Sequence, residues 1–117
     1  METKELVQAI CKALSERKGS QITIIDVQGK TILCDYFVIA NGHSSTQVKA
    51  LTDNVDYALG KLGREPLRKE GTTEGKWAAL DYGDVIVHIF NDESRLFYNL
   101  ERLWADGQNV TYYEDEE

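Results

Sequence analysis

Apolar positions along the chain alternate between helical and strand spacing, and polar or glycine-containing breaks separate the two. Leu6, Val7, Ile10, Ala13 and Leu14 recur at helical intervals while Lys4, Glu5, Lys12 and Glu16 face away, which predicts an amphipathic helix over residues 4–17. Arg17 and Lys18 suit its negative end, and Gly19 can close it. Cys11 falls beside the stripe and is expected to pack with it. Ile22 to Val27 reads as a short strand and Gln28-Gly29-Lys30 as a turn. The unbroken apolar run in Asp35 to Ala40 predicts a second strand inside the sheet, with both faces covered.

Asn41-Gly42-His43 leads into the longest helix. Ser44 and Gln47 have capping-box spacing. Val48, Leu51, Val55, Ala58 and Leu62 mark its buried stripe, and Gly63 its stop. Residues 64–75 are polar, hold the only proline, Pro66, and read as a loop. Two apolar runs then flank Asp81-Tyr82-Gly83-Asp84, a hairpin turn by its residue types. A period of two places Trp77, Ala79 and Asp81 on one face, and Ala78, Leu80 and Tyr82 on the other. In the second strand Val85, Val87 and Ile89 oppose Ile86, His88 and Phe90. Asn91 or Asp92 can cap a last helix with the stripe Leu96, Phe97, Leu100, Leu103 and Trp104, ended by Gly107. The order helix, strand, strand, helix, strand, strand, helix predicts a single α/β domain, one mixed β-sheet covered by helices. The expected division is a domain of residues 1–107 and an acidic C-terminal tail of residues 108–117. In that tail Val110, Tyr112 and Tyr113 could dock on the body, and the last four residues are expected to be disordered.

Composition narrows the function classes. With 117 residues the chain is long enough for one domain with a real core. No apolar run approaches the ~20 residues of a membrane span, and no signal peptide is visible. Two cysteines, Cys11 and Cys34, are too few for a disulfide framework. A cytoplasmic protein with reduced thiols follows. Net charge is −7. Setting aside the four acids of Glu114 to Glu117 leaves 13 basic and 16 acidic groups, or −3 for the body. Such a body has no general attraction to phosphate backbones, so direct nucleic-acid binding is disfavoured and a basic protein partner favoured.

Candidate chemistry is sparse. Cys11, Cys34, His43 and His88 lack metal-ligand spacing, so neither a metal nor a cofactor is expected. His43-Ser44-Ser45 juxtaposes a base with two hydroxyls, but neighbours at a helix start seldom point at each other. Gly42-His43-Ser44 before a helix suits an anion. Nucleotidyltransferases follow such a turn with two carboxylates one residue apart on a strand, and that pair is missing: Asp53 and Asp56 fall on the predicted helix, and Asp81 and Asp84 flank a turn. The two turn acids also fit a purely conformational role. His88 fits a satisfied, partly buried histidine. Trp77 is open between core and exposed anchor, and Trp104 fits the core.

Three stretches carry a resemblance. Asp35 to Val48, Glu74 to Phe90 and Tyr98 to Trp104 resemble, in order and spacing, the signatures of the ribosomal silencing factor family (Iojap-related). The similarity covers about residues 4–106. It implies a nucleotidyltransferase-like fold without transferase chemistry, and so no enzyme. It implies binding to the large ribosomal subunit through ribosomal protein uL14, steric blocking of small-subunit joining, and repression of translation under nutrient limitation. A homodimer when free is also implied. The binding surface that the resemblance carries over is Trp77, Leu80, Asp81, Tyr82, Gly83 and Asp84, supported by His88. Strict alternation puts Trp77 and Tyr82 on opposite faces, so one of them would support the fold. The competing class is a nucleotidyltransferase-type enzyme or nucleotide-binding protein.

Overall fold

A computed structural model describes residues 1–71 and 74–114, with the backbone alone for residues 96–98. The elements are α1 (Thr3–Glu16), β1 (Ser20–Asp26), β2 (Tyr36–Gly42), α2 (Ser45–Lys61), β3 (Arg68–Gly71), β4 (Trp77–Asp81), β5 (Val85–Asn91), α3 (Asp92–Tyr98), α4 (Leu100–Trp104) and β6 (Val110–Tyr112). They build one six-stranded sheet in the order β3-β4-β5-β2-β1-β6. β2 and β5 run parallel and the other neighbours antiparallel. The parallel pair follows from the long crossover between them, which contains α2. The expected mixed sheet covered by helices is therefore present, and β2 lies at its centre with both faces buried. Among the described residues no helix is long and apolar enough to cross a membrane.

The two long helices lie on one face. Leu6, Ile10 and Leu14 of α1 join Val48, Leu51, Val55 and Leu59 of α2 over Val38, Ala40, Leu80, Val87 and Ile89. Ser44 caps α2 by accepting from the Gln47 N–H at 3.1 Å. Gln47 reaches back to the His43 N–H, and its amide also donates to the Lys18 carbonyl at 3.0 Å. One side chain thus ties the end of α1 to the start of α2.

The opposite face carries a smaller core of Ile25, Val27, Cys34, Phe37, Ile39 and Phe90. Trp77, Ile86, Leu100, Trp104 and Val110 pack against it only partly buried. Its helical cover is the short pair α3 and α4. The Trp104 and Phe37 ring centroids are 5.7 Å apart, which places Trp104 against this core as expected.

Three expectations need correction. The loop over residues 64–75 contains β3, a fully exposed edge strand of Arg68, Lys69, Glu70 and Gly71. Its pairing is a backbone matter, and its charges are of the kind that protect a sheet edge, so no apolar alternation announced it. The last helix is broken: Asn99 adopts φ 41° and ψ 60°, and its side chain caps α4. Leu103 then points into solvent, 70% exposed, because the break rotates the second half of the stripe; the side chains of Leu96 and Phe97 lie outside the described residues. In α2 the fourth buried position is Leu59, whereas Leu62, past the helix end, is 54% exposed. The docking expected of Val110, Tyr112 and Tyr113 is present: residues 110–112 form β6 on the edge of β1, and Val110 and Tyr113 pack on the two cores; Asp115 to Glu117 lie outside the described residues.

Gly75 is the tightest backbone approach in the crossover. Its φ is +74°, and a Cβ there would sit 2.6 Å from the Ser45 Cβ and 2.7 Å from the Ser45 carbonyl oxygen. Gly75→Ala should therefore cost about 1–3 kcal/mol in chemical denaturation. Gly63→Ala shares the left-handed φ (+81°) but meets nothing within 4 Å, and should cost less. Equal losses would show that the contact with α2 is unimportant.

Candidate functional site

The β4–β5 hairpin places its residues as the alternation predicts. The register pairs Trp77 with Phe90, Ala79 with His88 and Asp81 with Ile86. These six face the thinly covered side of the sheet. Ala78, Leu80 and Tyr82 face the two long helices and are buried. The proposed contact set therefore divides in two. Leu80 is fully buried and Tyr82 is 3% exposed, so neither side chain presents surface in the free protein. Of Trp77 and Tyr82, the tyrosine is the one that supports the fold. Burial, next to Asp56 and Glu65, pushes its phenol up from the ordinary range, and its hydroxyl finds no hydrogen-bond partner among the described residues.

The turn is held by its own acids. Asp81 Oδ1 accepts from the Gly83 N–H at 2.8 Å, and Gly83 takes φ +92°. Asp84 is more heavily engaged. Its Oδ2 accepts from the Thr3 hydroxyl at 2.8 Å, its Oδ1 pairs with Arg64 at 3.3 Å, and its carbonyl accepts from the Asp35 and Tyr36 N–H groups. Asp84 thus joins the turn to the start of α1 and to the start of β2. Asp81 forms no ion pair among the described residues, which leaves it the acid free to meet a cation.

Toward the open end of the hairpin, away from the turn, Trp77, His88, Phe90 and Leu100 line a cleft of about 200 Å³. His88 stacks on Phe90 with ring centroids 6.0 Å apart and meets Phe37 edge-on at 5.4 Å. Burial among these rings lowers its pKa from 6.5 to about 4. At neutral pH the cleft wall is therefore uncharged. Phe90 and Leu100 were not among the expected contact residues. Phe90 was recoverable, since counting back from the turn sets it opposite Trp77. Leu100 was not, because only the break at Asn99 turns it toward the cleft.

The Gly42–His43–Ser44 turn does not meet the acids weighed for nucleotidyl transfer. Its neighbour is Asp92, which accepts from Asn41 at 3.0 Å and meets His43 Nδ1 at 2.9 Å; the His43 contact, then that of Asn41, holds its carboxyl below the usual range. Asp53 and Asp56 stand on α2, where Asp56 bonds Lys69 at 2.9 Å. Among the described residues no three His, Cys, Asp or Glu side chains are grouped as metal ligands.

Comparisons with known proteins agree with one another. The family model described as "Ribosomal silencing factor during starvation" matches residues 1–117. A Halalkalibacterium halodurans protein named a ribosomal silencing factor is 34% identical over 110 residues, covering 94% of each chain. A Bacillus subtilis protein of the same name is 33% identical over 107 residues, covering 92% of this chain and 91% of its own. A crystal structure of a Chromobacterium violaceum protein superposes with a TM-score of 0.88 at 34% identity, over 98% of this chain and 95% of that one.

The half-buried histidine makes stability depend on pH. Its folded pKa, about 4, lies below its ordinary 6.5, so the unfolded chain binds the proton more tightly. The contribution of neutral His88 is complete above pH 6.5 and is lost as pH falls toward 4. His88→Gln should remove up to ~3 kcal/mol of that acid-side loss. Urea denaturation of both proteins at pH 7 and pH 4.5 measures the difference; identical slopes would refute a buried neutral ring.

Proposed function

This chain belongs to the ribosomal silencing factor family, and on that premise we propose that it docks on the large ribosomal subunit through ribosomal protein uL14. Bound there, it occupies a surface that the small subunit requires, and translation is repressed when nutrients are short. The proposal places the protein in the cytoplasm and needs no catalytic step. Steric exclusion by an interface of roughly 800 Å² per partner is enough.

One observation supports this reading above the others: the thinly covered sheet face carries an apolar cleft lined by Trp77, His88, Phe90 and Leu100, and on the same face, nearer the turn, Asp81 forms no ion pair among the described residues. Trp77 would supply the anchor, since a tryptophan at the rim of an apolar cleft is the usual form of a binding hot spot. Asp81 would meet an Arg or Lys of the partner. Gly83 and Asp84 shape the turn that presents it, while Leu80 and Tyr82 support the hairpin from behind. His88 lines the cleft as a neutral ring. The division proposed is a docking domain of residues 1–107 and an acidic segment of residues 108–117, whose charge strengthens the field toward a basic partner. A homodimer is proposed for the free protein.

Binding of isolated uL14 by calorimetry tests the reading. Wild-type protein should bind, and Trp77→Ala should lose about 2 kcal/mol or more. Full affinity in a folded Trp77→Ala variant would remove Trp77 from the interface.

A further inference from the structure

The thin cover of the second sheet face is fastened by a buried charge that no part of the docking proposal uses. Arg95, on α3, is 6% exposed. Its Nη1 donates to the Gln21 carbonyl and to Asn41 Oδ1 at 2.8 Å. Its Nη2 donates to the Thr23 hydroxyl at 2.8 Å and to Glu101 Oε1 at 2.7 Å, and its Nε to the same Glu101 oxygen at 3.0 Å. β1 is shaped for this contact: its register shifts between Ser20 and Thr23, and Gln21 takes φ 50°. Asn41 in turn donates to Asp92 at the start of α3.

Glu101 is the one anionic partner of that guanidinium among the described residues, and it belongs to α4, on the far side of the left-handed break at Asn99. The residue before it is Leu100, the fourth wall of the cleft. The other end of α4 is held separately: Trp104 packs on Phe37, and its carbonyl accepts from Asn109 at 3.0 Å. The cleft end of α4 rests on the Arg95–Glu101 pair.

We propose that Arg95 and Glu101 are positioning residues of the docking cleft: the ion pair between the buried guanidinium and the half-buried carboxylate fixes the turn at Asn99 and so sets Leu100 against His88 and Phe90. The proposal rests on the docking reading for its consequence, but its geometry can be tested without a partner. Loss of the carboxylate frees the first turn of α4, Leu100 leaves the cleft, and the half-buried His88 ring becomes more fully hydrated. A hydrated imidazole regains its ordinary titration.

The experiment is an NMR titration of His88 in the full chain, for wild type, Glu101→Ala, Glu101→Gln and Val55→Ala. Val55 is buried on the opposite face and controls for general loss of stability. In Glu101→Ala the His88 pKa should rise by about one pH unit or more toward 6.5, with uL14 affinity reduced about tenfold or more. Glu101→Gln, which keeps an acceptor but not the charge, should fall between, and it carries the test if Glu101→Ala does not fold. Val55→Ala should titrate as wild type. An unmoved His88 in folded Glu101→Ala, or in Glu101→Gln where the alanine variant does not fold, overturns the proposal, as does an equal rise in Val55→Ala. Failure of the wild type to bind uL14 would overturn the docking reading and leave the titration to decide the positioning role.

Discussion

A sheet with two apolar faces needs cover on both, and among the described residues there are two long helices, both on the same face. Every unusual feature of the molecule follows from that imbalance. The face under α1 and α2 is closed by a continuous core from Leu6 to Ile89. The other face is left to two short helical pieces that could not cover it by apolar area alone. A buried guanidinium, satisfied by one carboxylate and three neutral oxygens, fastens them. Such a network is demanding, because removing one partner leaves a buried charge uncompensated, at a cost of about 3–5 kcal/mol in comparable cases. It also leaves the β4–β5 end of the face only partly covered, which is where Trp77, Ala79, Asp81 and His88 stand.

Much of the fold was legible because it follows from periodicity. The α1 stripe, the capping pair Ser44 and Gln47, the fully buried β2 and the hairpin faces all rest on spacings that survive folding unchanged. What was not legible has a common cause: it depends on partners distant in sequence. β3 is a strand only because β4 lies beside it. Asn99 breaks a helix whose apolar spacing would carry on through it, and Arg95 resembles any exposed helical arginine until Thr23, Asn41 and Glu101 are brought around it. At the candidate site, alternation separated Trp77 from Tyr82, but burial was needed to show that Tyr82 is the inward one. The turn acids have the conformational role their position suggests, and the structure distinguishes them: Asp84 is bound to Thr3 and Arg64, and Asp81 forms no ion pair among the described residues.

The electrostatics point the same way as the shape. An acidic body repels phosphate backbones, so a ribosome-directed protein of this charge gains most from a basic protein surface. The cleft itself stays neutral near pH 7, because burial holds the His88 pKa near 4. On the proposed reading, the cleft at Trp77 and the carboxylate of Asp81 nearer the turn would together meet a protein surface.

On that same reading, the bound protein keeps the ribosomal subunits apart. Sedimentation of purified subunits, mixed under joining conditions with and without excess protein, tests it most directly. Separate subunits, with the protein on the large one, are the expected result; joined particles forming equally well in its presence would contradict it.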